Sequence, residues 1–271
     1  MELTRHQSPS GPRWARDGRW LPQQLTLGLL LELPKSAMVD VLHGIPVGSQ
    51  AEGSLLPPLE PMHEVWASGV TYLRSREARK AESTVGDVYE LVYAAERPEL
   101  FLKAIGWRVV GHGALVRIRR DSHWDVPEPE LVLVLNRELE IVGYCAGNDL
   151  SSRSIEGENP LYLPQAKIYN RSCALGPGIL IAEPDQLRDI PIRLQVMRSG
   201  AVAFAGETRT AQMKRRLEEL VASLGRELDF PQGGFLMTGT GIVPPDEFSL
   251  QPGDLVQITV GEYTLTNEVR R

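Results

Sequence analysis

The stretch that decides the fold is Val126-Pro127-Glu128-Pro129-Glu130, followed without a break by Leu131-Val132-Leu133-Val134-Leu135. The apolar run reads as a buried strand. Pro129 disfavours helix and holds Glu128 in an extended conformation. Glu128 and Glu130 therefore project from one face at the mouth of that strand. Two like charges there are unfavourable unless something positive joins them. A divalent cation meets that need, with Asp149 of Gly147-Asn148-Asp149 as a third oxygen ligand carried by the next strand. Glu-x-Glu beside a proline is more often a solvated strand edge, so the motif needs support from the rest of the chain.

Composition sets the bounds. The chain has 271 residues with 42% hydrophobic content, enough for one large domain or one domain with a small appendage. A formal net charge of -6 argues against a general nucleic-acid binder. No run reaches the ~18 apolar residues of a membrane span, and the start Met1-Glu2-Leu3-Thr4-Arg5 lacks an apolar signal core. Cys145 and Cys173 form no C-x-x-C pair and read as reduced, buried thiols of a cytoplasmic protein. His6, His43, His63, His112 and His123 form no zinc spacing. Oxygen ligands instead favour Mg²⁺, Mn²⁺ or Ca²⁺.

Working outward, residues 1–60 are rich in Pro and Gly, and Ser54 to Pro61 reads as a linker. The expected division is a small N-terminal part and linker over 1–60 and a metal-dependent catalytic domain over 61–271. Val65 to Tyr72 is strand-like. Residues 74–95 read as helix with a break near Gly86, and Val88, Leu91, Val92 and Ala95 share one face. Segments 115–119, 130–135, 140–145 and 178–182 read as strands. Residues 192–197 and 201–205 form a hairpin closed at Ser199-Gly200. An amphipathic helix is expected over 208–226, with Met213, Leu217, Leu220, Val221 and Leu224 as its core stripe. A last strand spans Asp254 to Val260. The sum is a β-rich α+β fold.

Four further pieces are unusual for scaffold. Pro98 to Lys103 embeds Glu99 and Lys103 among apolar residues. Gly147 to Arg153 clusters polar side chains directly after a strand. Asn159 to Lys167 ends on a lysine. Thr238 to Pro244 is a Gly/Thr turn leaving an apolar segment. Singly, each also fits a surface lysine, a solvated arginine or an ordinary turn.

Together, E-x-E, N-D-x-S-x-R, P-Q-x-K and T-G-T-x-x-x-P resemble the fumarylacetoacetate hydrolase superfamily, from about Val65 to the C-terminus. The resemblance implies a mixed β-roll catalytic domain, here with a small N-terminal β appendage. It also implies Mg²⁺ or a similar ion, a 2-oxo acid or 1,3-dicarbonyl substrate, and a homodimer or homotetramer. It makes Glu128, Glu130 and Asp149 the metal ligands, puts Lys167 beside the metal and sets Thr240 at the substrate carboxylate. Within the superfamily, Val88 to Lys103, Val110 to Gly113, Pro127 to Leu131 and Glu156 to Tyr169 are most similar to the 2-keto-3-deoxy-D-arabinonate dehydratase branch. That branch gives 2,5-dioxopentanoate in pentose catabolism.

One departure separates this chain from the hydrolase branch, which carries G-x-N-Y-x-x-H with a following glutamate. Here Gly69 to Glu77 is G-V-T-Y-L-R-S-R-E, with Ser75 where the histidine would stand. A serine alone is no general base near neutral pH. Dehydration is therefore expected over hydrolysis. An acylpyruvate or fumarylpyruvate-type hydrolase, a decarboxylase and a non-catalytic 2-oxo acid binding protein are the competing readings. Lys167 is the expected base and Glu99 the expected acid, with their order exchangeable. Lys103 and Arg153 are expected to orient polar groups around the substrate. Thr240 and the backbone of Gly239 and Gly241 are expected at its carboxylate. Tyr72, Arg74 and Glu77 are expected in a closing lid.

Overall fold

The computed structural model describes residues 1–82 and 87–271. The break expected at Gly86 lies outside the described residues. A ten-stranded sheet forms the centre. Edge to edge it runs Arg19–Trp20, Gly11–Arg16, Glu2–Ser8, Cys173–Ile181, Ile141–Asp149, Pro129–Leu135, Gly234–Met237, Glu64–Gly69 and Glu99–Ile105, and Leu55–Leu56 pairs with Glu2–Ser8 off this path. Gly234–Met237 runs parallel to Glu64–Gly69. The other neighbours are antiparallel. A five-stranded sheet of Ala201–Arg209, Pro191–Arg198, Leu255–Val260, Tyr263–Arg270 and Leu115–Arg117 packs against it. Ser199 and Gly200, both at positive φ, close the expected hairpin.

The strand Pro129–Leu135 explains why the apolar run has no polar interruption. Leu131, Leu133 and Leu135 enter the core shared with the five-stranded sheet. Val132 and Val134 enter a second core on the opposite face, built with Leu27, Leu30, Leu31, Met38 and Leu42. A strand covered on both sides has no solvent face to mark with polar residues.

Three readings of local structure change. Residues 1–60 hold strands and also the helices Leu27–Leu31 and Lys35–Gly44, and Glu2–Ser8 joins the large sheet beside Cys173–Ile181. Within the stretch read as a linker, Leu59 is buried, and Glu60 accepts hydrogen bonds from Leu27 N, Gly28 N and Trp14 Nε1 at 2.6, 3.1 and 3.0 Å. Its prolines mark a rigid, packed connection.

The amphipathic helix is shorter than its periodicity suggests and spans Leu217–Leu224. Thr210 holds the preceding segment out of helix. Its hydroxyl donates to Leu187 O at 2.8 Å and accepts from Ile190 N at 2.8 Å. Leu217, Leu220, Val221 and Leu224 are in the core as expected, whereas Met213 lies before the helix and bridges to Tyr72.

Of the apolar face read on the helix Asp87–Ala94, Val88 and Leu91 are exposed, while Tyr89 is buried. Arg215 donates to Val92 O, Ala95 O and Glu96 O at that helix's C-terminal end. A cation there complements the unpaired carbonyls of the last turn.

Candidate active site

Register assembles the acidic cluster. Glu130 stands opposite Gly147, and Asp149 stands opposite Cys173. Directly paired residues share a face, so Glu130 and Asp149 emerge together where the two strands end. A side chain at Gly147 would overlap Val132, so glycine keeps that face open. Asn148 points the other way, and its Oδ1 accepts from Glu128 N at 3.1 Å, while Asp149 N donates to Glu128 O at 3.0 Å. The Gly-Asn-Asp segment thus supplies space, a clamp on Glu128 and a carboxylate. Glu128, Glu130 and Asp149 are all buried and can present oxygens within 4.8 Å of one another.

Cations frame the cluster. Lys167 Nζ donates to Glu128 Oε2 at 2.8 Å, Asp149 Oδ2 at 3.2 Å and Ser151 Oγ at 2.6 Å. Lys103, fully buried, lies 2.5 Å from Asp149 Oδ1 and donates to Leu150 O at 3.0 Å and Lys167 O at 2.5 Å. Arg153 Nη2 lies 3.0 Å from Glu128 Oε1, and its Nη1 lies 3.6 Å from Glu156 Oε2. Gly239 N donates to Glu130 Oε2 at 2.6 Å. Burial, then the charges of Asp149 and Glu128, push the Glu130 carboxyl well above the ordinary carboxylate range.

Around this cleft the described residues place the carboxylates Glu99, Glu128, Glu130, Asp149 and Glu156 against the cations Lys103, Arg153 and Lys167. The three clustered carboxylates are buried hard oxygen donors. That donor set fits a divalent cation such as Mg²⁺.

The cleft is lined by Glu99, Phe101, Glu156, Leu163, Lys167 and Thr240 together with the acidic cluster, Ser68, Gly69, Val70, Ser75 and Gly239. Its free space is about 20 Å³, room for about one water. A larger groove of about 590 Å³ crosses the outer face of the five-stranded sheet, but its charged lining residues Arg193 and Glu207 are exposed. Chemistry belongs to the smaller cleft.

The turn at its rim is strained. Val70 has φ 52°, the left-handed region that a β-branched residue rarely adopts. The next residue ties two loops together, since Thr71 Oγ1 donates to Thr238 O at 2.7 Å. Gly239 has φ 88°, and a methyl group there would overlap the Thr71 hydroxyl. Glycine at 239 lets its N–H reach Glu130.

The expected site residues separate into groups. Glu99 and Thr240 line the cleft with Lys167 and the acidic cluster. Lys103 and Arg153 sit behind Asp149 and Glu128, on the carboxylates. The Gly239 amide is committed to Glu130. The Thr240 hydroxyl closes its own turn, with Ile242 N at 3.2 Å and Ile242 O at 3.3 Å.

Tyr72 is buried with a hydroxyl that has no hydrogen-bond partner among the described residues. Burial and Glu130 raise its phenol above the ordinary range. Glu77 is exposed on the helix Leu73–Glu82 and does not line the cleft, and Arg74 is exposed as well. Ser75 does line it, but its Oγ donates to Tyr72 O at 2.8 Å and accepts from Tyr72 N at 3.3 Å.

Sequence reasoning passed over Glu156, Ser151, Phe101 and Leu163. Glu156 and Ser151 fall inside the quoted motifs, and their polar side chains flanking Arg153 and Asp149 were the available signal. Both cysteines are buried and unpaired. Burial pushes both thiols up, Cys173 to about 12.

The profile of the fumarylacetoacetate (FAA) hydrolase C-terminal family matches residues 64–270. The chain belongs to this family. A probable 2-keto-3-deoxyxylonate dehydratase of Haloferax volcanii is 49% identical over 208 residues, covering 76% of this chain and 72% of that protein. The 2-dehydro-3-deoxy-D-arabinonate dehydratase of Saccharolobus solfataricus is 43% identical over 223 residues, covering 79% and 74%.

Among solved structures, a 2-keto-3-deoxy-D-arabinonate dehydratase complexed with magnesium and 2,5-dioxopentanoate superimposes with a TM-score of 0.84 at 33% identity, covering 100% of this chain and 99% of that one. The α+β, strand-rich architecture of this fumarylacetoacetate hydrolase family member agrees with the expected fold class.

Proposed function

We propose that this chain is a divalent-metal-dependent dehydratase that converts a 2-keto-3-deoxypentonate into 2,5-dioxopentanoate and water. The observation that carries this reading is the buried cluster of Glu128, Glu130 and Asp149 with Lys167 between two of the carboxylates and Glu99 in the same cleft. The dehydratase relatives, one of them holding magnesium, support it.

A bound Mg²⁺ ion, held by the three carboxylates, would supply Lewis-acid polarisation of the 2-keto group. The protein residues do the rest. Lys167, in its neutral amine form, takes a proton from C3. Glu99 gives a proton to the departing C4 hydroxyl, so that one water leaves. C5 then loses a proton while C3 regains one, and the resulting enol passes its O–H proton to C4 to give the aldehyde. Phe101 and Leu163 at the cleft help exclude bulk water.

A five-carbon acid needs more room than this free space, so this reaction requires the rim to move when substrate enters. No hydrolytic water needs activation, in keeping with a Ser75 hydroxyl tied to the Tyr72 backbone. A cytoplasmic homodimer or homotetramer completes the proposal, on the resemblance of its motifs.

A 2-keto-3-deoxypentonate retains a single stereocentre, C4. The D-arabino and D-xylo series therefore give the same acid, and the informative comparison is between its D and L enantiomers. The test is to incubate the protein with Mg²⁺ and each enantiomer and to follow the carbon skeleton by NMR with a chelator control. A chelator-sensitive five-carbon aldehyde is expected. Two smaller acids from an acylpyruvate, with the sugar acid untouched, would overturn the proposal.

A further inference from the structure

Each of the three cluster carboxylates has one oxygen against a protein cation or N–H donor. Asp149 Oδ1 faces Lys103 at 2.5 Å. Glu128 Oε1 faces Arg153 at 3.0 Å. Glu130 Oε2 accepts from Gly239 N at 2.6 Å. The donors themselves are fixed. Lys103 is fully buried and hydrogen-bonded to Leu150 O and Lys167 O. Arg153 is buried at the start of the helix Arg153–Glu158, and its backbone N donates to Trp124 O at 2.8 Å. Gly239 is held by the strand-end turn that Thr71 and Thr238 lock together. The remaining oxygens of Glu128 and Asp149 converge on one atom, Lys167 Nζ.

We propose that Lys103, Arg153 and the Gly239 amide pin these carboxylates in one-oxygen binding and so make the site selective for Mg²⁺ or Mn²⁺ over Ca²⁺. The inference rests on the acidic cluster being the metal site of the proposed function. Calcium favours six to eight oxygens and gains them from two-oxygen carboxylate contacts, whereas magnesium accepts fewer ligands, one oxygen from each. Rotating Glu128 or Asp149 to offer both oxygens here would pull a carboxylate oxygen off a buried cation, which is unfavourable. Lys103 and Arg153 are thus positioning residues: they select the ion through the ligands they hold. Among the described residues Glu130 is held only by a neutral N–H, so it is the ligand with most freedom to turn.

Calorimetric titration of the substrate-free protein with Mg²⁺ and Ca²⁺ separately tests the idea. The variants are Lys103→Met and Arg153→Met, with circular dichroism as the fold control. The wild type is expected to prefer Mg²⁺. Each variant is expected to lower the Mg²⁺-over-Ca²⁺ preference by roughly tenfold, within the range typical of outer-shell substitutions. A merely structural role would weaken both ions equally and leave the ratio unchanged, and that result in a folded variant would overturn the pinning. Because each variant frees a different carboxylate, loss of fold in one leaves the other as the test. A wild type that binds neither ion would instead overturn the metal reading itself.

Discussion

At the scale of single residues, the site divides its labour between groups facing the cleft and groups behind them. Lys167 and Glu99 are the pair assigned to the proton transfers, and solvent exchange can tell them apart. In D₂O with Mg²⁺, Glu99→Gln should still exchange the C3 protons of the substrate while losing turnover. Lys167→Met should lose both, with a fall in kcat of about 10²–10⁴. Retained exchange in Lys167→Met would move the base role to Glu99.

Gly69 offers a subtler probe, because a methyl group there would overlap the Glu99 carboxylate. Gly69→Ala should displace Glu99, cut kcat by a similar factor and leave Mg²⁺ affinity within about twofold, since about 0.4 kcal/mol separates affinities that close. NMR and calorimetry read the two effects. The residues of this constellation were legible in the sequence as types and spacings. Their division was not, because Lys103 and Glu99 sit in one short segment yet face different partners. The folded chain puts Glu99 in the cleft lining and Lys103 against Asp149 Oδ1.

At the scale of elements, the connection Ser54 to Pro61 shows where composition misleads. Prolines and glycines mark the absence of helix, and they do not mark the absence of packing. The adjoining His63 holds the connection to the strand Gly234–Met237 side of the sheet. Its Nδ1 accepts from Glu60 N at 2.9 Å, and its Nε2 pairs with Gln232 O at 3.0 Å. That pattern fixes a neutral imidazole. Burial lowers the His63 pKa, opposed by the Glu60 charge.

A lowered folded-state pKa for a base means that the unfolded chain binds the proton more tightly. The stabilisation is therefore present above the ordinary histidine value of about 6.5 and is lost as pH falls through the folded value. Melting temperature should fall as pH is lowered from 7.5 to 5, and the slope should be shallower in His63→Gln. An unchanged slope would remove His63 from the acid response. The strands of the catalytic region were legible because they alternate or run apolar between turn residues. The start of the helix Leu217–Leu224 was not, since the Thr210 side-chain bonds that end the helical pattern join residues distant in sequence.

At the scale of the whole molecule, the two cores meet on the strands that carry the acidic cluster. Residues 1–60 contribute to one of those cores; the short apolar patch Leu25 to Leu33 was legible in the sequence, but its partners were not, because Leu27, Leu30 and Leu31 pack with residues distant in sequence. Metal binding at the ends of central strands should therefore stabilise the molecule globally. Free Mg²⁺ at 100 times its Kd should add about 2.7 kcal/mol, a rise in Tm of roughly 5–11 °C for a chain near this size. Glu130→Gln should abolish the rise. A metal-dependent shift that survives in Glu130→Gln would place the ion elsewhere.

The double burial of Pro129–Leu135 also bears on how this lineage can change. A substitution in that strand disturbs two cores and the carboxylate frame at once, so few will be tolerated. The rim is under less constraint, because Leu163 belongs to neither interior and Phe101 only flanks one. New substrate preferences should therefore arise by drift around the edge of the cleft, over a floor that selection holds nearly constant.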